Sequence, residues 1–507
     1  MTLPCAGTAI RSQSTSGLLR TKTKRLWCFW LFLWELVGGE MRNLNNCVIW
    51  WVRKDIRLKD NPTLVRAAQL GQVIPVYILD ETSLELRNGS FRGFLTSALR
   101  SLDTELKKYG SGLNVVAGLT AVEIPRLALE FQCTVFTQDD FTPEIRRTFK
   151  NLSSQVDLVL VDGATALHPA ALLKDDGSPY KVFSSYRKKW MEDYRSKVQN
   201  VDPSSISFSN RHIVESKFDP PYSTDRHVSE RSALSRFIKF KSESGALWKY
   251  GTNRSRVDLQ SSSGLSPYLN LGLVSANSLL DETFVLLQDS ELDQGSRESI
   301  ISWQSELIWR EFFISALFHF PETQSQNFNK SLRGIDWNES EEVFERWKQG
   351  QTGYPIVDAA MRQLWQEGWI HNRLRMIVAS FLVKDLLIDW RKGADWFAQT
   401  LVDIDEAANV GGWQWTAGTG LDAAPYFRVF NPVTQGEKFD PFGEYVREWV
   451  PELSKFPDKY VHKPWVIAEH RNRPNTIGSY PTPIVDHKTA RQFALEAFKK
   501  SRGLAVE

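Results

Sequence analysis

Residues Cys47–Val52 read CVIWWV, and Val73–Leu79 read VIPVYIL. Both runs are short, β-branched or aromatic, and bounded by segments of a different period. Between them, Pro62–Leu70 fits a helix, with Asn61 as N-cap and Pro62 at its first position. Beyond them, Phe94, Leu95, Ala98, Leu99, Leu102 and Leu106 share one face of a helix over Phe91–Tyr109. Further strands are expected at Leu113–Val116, Thr134–Thr137 and Leu158–Val161. Strands covered on both faces read as continuous apolar runs. The alternation therefore predicts an α/β domain over residues 45–165, a doubly wound parallel sheet. Pro75 cannot donate to a ladder, so its strand is expected at an edge or an irregular position.

Outward from this block, residues 166–235 are rich in Pro, Ser, Asp and Lys, as in HPAALLKDDGSPY and FDPPYSTDRH, and read as a surface connector. One helix, Phe183–Lys197, interrupts it. Over residues 236–495 the strand signal gives way to helical runs at Ser302–Phe318, Pro355–Gln366, Leu374–Trp390 and Ala394–Leu401, which predict a second, all-helical domain. On the other side, residues 1–40 run from RTKTKR into the apolar Leu26–Val37. That run is shorter than the roughly 20 residues a spanning helix needs, so no membrane anchor is expected. The extension is either a cleaved targeting segment or the product of translation started upstream of Met41.

The 507 residues suit two or three domains, and 42% hydrophobic with 24% charged residues excludes a disordered chain. The net charge of +2 means that any nucleic acid must meet a local basic face. Cys5, Cys28, Cys47 and Cys133 contain no CxxC pair, which disfavours a disulfide framework or a zinc site and suits the cytoplasm, unless residues 1–40 direct the chain to an organelle. No metal is expected. Of the 19 tryptophans, twelve fall between Trp303 and Trp465, as core filler, stacking platforms or a path for single electrons.

Several motifs carry chemistry or its simpler alternative. GTGLDA (Gly418–Ala423) matches a dinucleotide pattern but follows no strand, so the context a dinucleotide-binding turn needs is missing. Ser261–Gly272 (SSSGLSPYLNLG) is either a hydroxyl-rich cradle for a pyrophosphate or a capped Ser-rich turn. Glu306, Trp309, Arg310 and Phe313 share a helix face that suits a planar heterocycle, or simply an ion pair. His371, Arg373 and Arg375 open an apolar helix. In Leu401–Trp415, Asp403, Asp405 and Asn409 stand among Gly and Trp, where buried polar groups want a hydrogen-bonding ligand or a helix terminus wants a cap.

Taken in order, WVRKDIRLKDNPTL, SSGLSPYLNLG, WQSELIWREFF, GYPIVDAAMRQL, GWIHNRLRM, FLVKDLLIDW, DIDEAANVGGWQW and DAAPYFRVFNPVTQGEKFDP resemble the photolyase/cryptochrome family over residues 45–490, and most of all its class I cyclobutane pyrimidine dimer photolyases. The resemblance implies an α/β antenna domain followed by a helical FAD domain. FAD would be held by Tyr250, Arg254, the loop Ser262, Ser263, Gly264, Leu265 and Ser266, and by Asn372, Arg375, Asp403, Asp405 and Asn409. Asp403 would pair with Arg375, and Asn409 would face the flavin N5.

The same resemblance implies light-driven repair of cyclobutane pyrimidine dimers in UV-damaged DNA, a carbon–carbon lyase reaction, by a monomer. Glu306 would hold the dimer, with Trp309, Trp415, Asn372 and Met376 around it and Arg310 and Arg373 toward the DNA. Trp413, Trp390 and Trp337 would relay electrons to the flavin. The antenna would be methenyltetrahydrofolate, contacted by Glu144, with deazaflavin as the other candidate. A cryptochrome-type blue-light receptor is the alternative. A photolyase for (6-4) lesions is disfavoured because Asn372 follows His371 where a histidine pair is expected. A flavin oxidoreductase is disfavoured because no nicotinamide site is visible.

Overall fold

The computed structural model describes residues 47–199, 201–211, 213, 227–467 and 480–503, and the extension over residues 1–40 lies outside them. Strands β1 (Cys47–Trp51), β2 (Gln72–Leu79), β3 (Asn114–Ala117), β4 (Thr134–Gln138) and β5 (Leu158–Val161) form one parallel sheet in the order β3-β2-β1-β4-β5. Alternation along β1 sends Val48 and Trp50 to one face and Ile49 and Trp51 to the other. Helices Pro62–Ala68 and Gly89–Lys107 cover the first face through Leu64, Leu95 and Leu99. Helices Thr120–Phe131 and Pro143–Leu152 cover the second through Ile124, Leu127 and Phe149. The Asn61 cap forms as expected, its side chain accepting from Leu64 N at 3.0 Å.

Pro75 does not mark an edge. β2 lies inside the sheet, between β1 and β3. The Pro75 carbonyl faces the β3 side, where it accepts from Asn114 Nδ2 at 3.2 Å, and the β3 pairing begins only at Val76↔Asn114. The missing N–H therefore points to a place where the ladder has not yet started, and no backbone bond is lost.

After the sheet, helix Phe183–Asp193 crosses onto the helical region, and helix Glu230–Lys241 begins inside the stretch read as connector. The latter is fixed by a capping box at Ser229 and Ser232, and its Glu230 accepts from Leu58 N at 2.9 Å. One continuous apolar core holds Trp50, Leu99, Trp190, Phe237, Trp303 and Phe312, so the sheet and the first helices of the helical region share an interior. Helices Gln294–His319 and Pro355–Glu367 match the runs read from periodicity. The run Leu374–Trp390 does not stay one helix. Helix Asn372–Ser380 passes into a π-helical turn at Phe381–Asp385, Leu387 takes a left-handed conformation, and a new helix starts at Trp390 and runs to Thr400. The turn is held by tertiary bonds: buried Lys384 donates to Ala417 O at 2.6 Å, and Asp385 meets His487 Nδ1 at 2.5 Å. Among the described residues, no helix is long and apolar enough to cross a membrane, and no cluster of three or more side chains could hold a metal.

Candidate active site

Helix Gln294–His319 is the spine of the site. Its Glu311 is buried and anchors it to the segment that follows the sheet, accepting from Ala166 N at 2.5 Å and from Trp190 Nε1 at 2.6 Å. One helical turn and more before it, Glu306 accepts from Arg254 Nη1 at 2.5 Å. Burial raises the Glu306 pKa, and the charges of Arg254 and Arg373 oppose the rise. Tyr250, at the start of the short helix that leads to Arg254, is buried beside the same carboxylate.

Helix Asn372–Ser380 starts with His371 as its cap, the ring Nδ1 accepting from Arg373 N at 3.0 Å. Burial, then Arg373 and Arg375, bring His371 down to about 4, so the ring is neutral at pH 7 and free to accept. The Arg373 guanidinium lies over the Phe439 ring at 4.6 Å and donates to Ser255 Oγ at 3.0 Å, while its Nε is buried without a partner. Asn372 is exposed and Met376 half-buried. Arg375 Nη2 donates to both oxygens of Asp403, at 2.7 and 3.0 Å, and its Nε holds Ile370 O. The expected Arg375–Asp403 pair is therefore present, with the carboxylate almost fully enclosed.

Helix Glu406–Ala417 is capped by Asp405, which accepts from Ala408 N at 2.9 Å. The helix presents Asn409, whose Nδ2 donates to Ala394 O at 3.0 Å, leaving Oδ1 as a free acceptor among the described residues. One turn on, Trp413 is buried and its Nε1 has no partner. Its ring meets Phe397 edge-on at 5.0 Å and Trp347 at 6.2 Å. Gly393 makes room for it: a Cβ there would lie 2.2 Å from the indole. Trp390 is buried with Nε1 on Asn327 Oδ1 at 2.7 Å, and Trp337 packs half-buried on the same core, edge-on to Phe498 at 6.0 Å. Trp415 is half-buried. The helix ends at Gly418 in a left-handed conformation, which accounts for the first glycine of GTGLDA as a helix terminator.

These elements adjoin. Helix Gln294–His319 packs on Tyr250–Asn253 and on Glu406–Ala417, which in turn packs on Asn372–Ser380. The Ser262–Ser266 loop lies beside them: Gly264 is left-handed, Leu265 is buried, and Ser266 Oγ accepts from Trp369 Nε1 at 3.3 Å. The hydroxyls of Ser262 and Ser263 have no hydrogen bond among the described residues. Sequence reasoning assigned no role to Trp369, Asn327 or Glu311; their partners are remote in sequence and no local pattern marks them.

Three expected site residues point elsewhere. Arg310 shares the helix with Glu306 but donates to Ala164 O at 3.0 Å and lines a cleft against the sheet. Asp405 lines the same cleft. Trp309 stacks on Phe183 at 3.7 Å, with the rings 9° apart, rather than standing free. The cleft opens at the carboxyl ends of β1 and β4, where the strand order reverses, and includes Arg53, Lys54, Asp140 and Thr142. Ligands of open α/β sheets bind at such a point. Glu144 is exposed in the first turn of its helix, two residues after Thr142, and does not line the cleft.

Residues 48–204 match the family described as DNA photolyase, and residues 303–500 match the FAD binding domain of DNA photolyase. The chain is 39% identical to the deoxyribodipyrimidine photo-lyase of Agrobacterium fabrum, over 89% of this chain and 97% of that one. It is similar to a class III photolyase from Agrobacterium tumefaciens, at 36% identity and a TM-score of 0.81, covering 92% of this chain and 99% of that one. It also resembles a cryptochrome from Synechocystis, at 29% identity and a TM-score of 0.79, covering 90% and 100%. The fold is that of the photolyase/cryptochrome flavoproteins, and the chain belongs to the DNA photolyase family. It is an enzyme of DNA repair that carries the family's FAD-binding domain. The class named in the Agrobacterium structure is III, so the expected likeness to class I gains nothing from that neighbour.

The residues present fit FAD. A loop with free hydroxyls and a left-handed glycine offers an anion cradle, the Arg375–Asp403 pair supplies fixed charges, and Asn409 offers a free acceptor.

Proposed function

We propose that the chain repairs cyclobutane pyrimidine dimers in DNA by light-driven electron transfer. The observation that carries this reading is the Arg254–Glu306 pair, a carboxylate half-buried beside Tyr250 with the cationic Arg373 in its field. Bound FAD in its reduced form supplies the photoexcited electron, and the cofactor rather than the protein performs that step. The chain's own residues bind, orient and exclude water. Tyr250, Arg254 and the Ser262–Ser266 loop hold the cofactor with Asn372, Arg375 and Asp403. Asn409 offers Oδ1 to the hydrogen on the flavin N5, which favours the reduced form.

A dimer inside a duplex is out of reach, so the lesion is flipped out, and its weakened pairing lowers the cost of doing so. Glu306 then exchanges Arg254 for the dimer and hydrogen-bonds to it; burial raises its pKa, and the charges of Arg254 and Arg373 oppose the rise. Trp415 and Met376 wall the pocket, and Arg373 meets the backbone. Trp413, Trp390 and Trp337 carry electrons inward to restore the reduced cofactor. The antenna is methenyltetrahydrofolate, with deazaflavin as the other candidate, and the cleft at the ends of β1 and β4 supports a ligand in this domain. The enzyme acts as a cytoplasmic monomer.

The test is restoration of normal absorbance in UV-irradiated oligothymidine by the reduced, FAD-loaded chain under blue light. Repair in the light and none in darkness is expected. FAD binding without repair favours the blue-light receptor instead.

A further inference from the structure

Arg236 projects from helix Glu230–Lys241, outside every motif that carries the FAD reading. The helix is held firmly from its other face: Phe237 stacks on Trp303 at 5.5 Å, and Phe240 is buried. Arg236 is therefore exposed on a rigid element, not on a loop. Its guanidinium lies 5.7 Å from the Tyr268 ring centroid. It also crosses the one gap in the Ser262–Ser266 loop. A Cβ built on Gly264 would lie 2.7 Å from Arg236 Nη1, so any side chain at 264 would push the guanidinium away. Gly264 has φ +60°, a conformation that other residues rarely adopt.

Two unspent groups thus meet at this loop. The Ser262 and Ser263 hydroxyls have no partner, and Arg236 has neither a carboxylate nor a hydrogen-bond acceptor among the described residues. A planar guanidinium fork beside free hydroxyls matches the oxygens of a diphosphate. Seen alone, the loop brings no charge of its own to a doubly anionic ligand.

We infer that Arg236 is a binding residue for the FAD pyrophosphate, reaching over Gly264 to complete the cradle from outside the loop. This rests on the FAD reading and goes beyond it by naming the cation and the part of the cofactor it meets. Tyr268 steers the guanidinium through its ring face, and Gly264 is glycine here because the arginine uses its space.

The experiment compares FAD dissociation constants of the flavin-free full chain and its Arg236→Gln and Arg236→Lys variants, at low and high salt, with the visible spectrum of each saturated complex. Arg236→Gln should weaken FAD binding about tenfold at low salt, the loss of one charge-assisted bond. The gap should narrow at high salt. Arg236→Lys should fall between, because a point charge replaces the fork. The spectrum of bound flavin should not change, since the isoalloxazine lies away from the diphosphate. Unaltered affinity in Arg236→Gln overturns the inference, as does a loss accompanied by a changed spectrum, which marks general damage to the site. Weakened DNA binding with FAD affinity intact assigns the residue to a DNA phosphate instead. If the unaltered chain takes up no FAD, the cofactor reading itself falls.

Discussion

Arg254 and Glu306, 52 residues apart in sequence, meet at 2.5 Å in an ion pair between the end of helix Tyr250–Asn253 and helix Gln294–His319. If Glu306 holds the dimer as proposed, the pair holds the carboxylate beforehand and substrate displaces the arginine. Glu306→Ala should lower repair per absorbed photon about tenfold, the scale of one hydrogen bond to a charged group. FAD should stay bound. Glu306→Gln keeps a hydrogen-bonding side chain and should retain more activity. Yield measured on irradiated oligothymidine decides the point, and an undiminished yield removes Glu306 from the reaction.

Trp413 has an indole N–H with no partner and a ring enclosed by Phe397 and Trp347. Trp413→Phe should stop photoreduction of the oxidised flavin and leave repair by chemically reduced enzyme intact. Persistent photoreduction, followed as loss of the flavin's blue absorbance, would place the electron path elsewhere.

Gly393 tests how tightly that ring is fitted. Alanine normally gains about 1 kcal/mol over glycine inside a helix. Here the added methyl would lie 2.2 Å from Trp413 and 2.6 Å from Leu382, a clash with an enclosed ring. Overpacking of that kind costs about 1–3 kcal/mol, so the steric term wins. Gly393→Ala should lower the chemical-denaturation midpoint and slow photoreduction; greater stability would contradict the packing described.

Asp385 predicts a pH effect. Burial raises its carboxyl to about 6, against the opposing hydrogen bond and charge of His487. A group whose folded pKa exceeds its unfolded value contributes stability below the unfolded pKa and loses it as pH rises through the folded one. Stability should therefore decline between about pH 4 and 6 on this account. Asp385→Asn keeps an acceptor for the His487 Nδ1–H without the buried charge, and should be more stable than the unaltered chain at pH 8 by about 1–3 kcal/mol. Unfolding midpoints at pH 5 and pH 8 check it, and equal midpoints for the two chains at pH 8 would contradict it.

Arg428 and Arg254 lie close enough to Arg373 for like charge to lower its pKa, and Glu306 opposes them. Arg428→Ala should weaken binding of damaged DNA and reduce the salt dependence by about one counterion.

What could be read from residues alone was local. CVIWWV is a strand because its neighbours on both faces are apolar, and Asn61 caps a helix because its side chain reaches Leu64 three residues on. Pro75 misled because proline excludes a donor on only one side of a strand, and the side depends on where β3 starts. The break after Ser380 was hidden for a similar reason. The apolar period continues through FLVKDLL, and the turn is set by Ala417 and His487, far along the chain. The Arg375–Asp403 pair came from the resemblance, whereas the Arg254–Glu306 bond needed coordinates. Arg310 sits one turn from Glu306, yet the neighbouring Ala164 carbonyl draws it to the sheet.

Because Trp50 and Leu99 share an interior with Trp303 and Phe312, the amino-terminal layer is not a detachable module. Cutting the polypeptide between the halves would strip apolar surface from each and leave neither with a closed interior. A pigment seated above the sheet would, by the same token, keep a frozen orientation toward the flavin, so excitation passing between them would not be blurred by hinge motion.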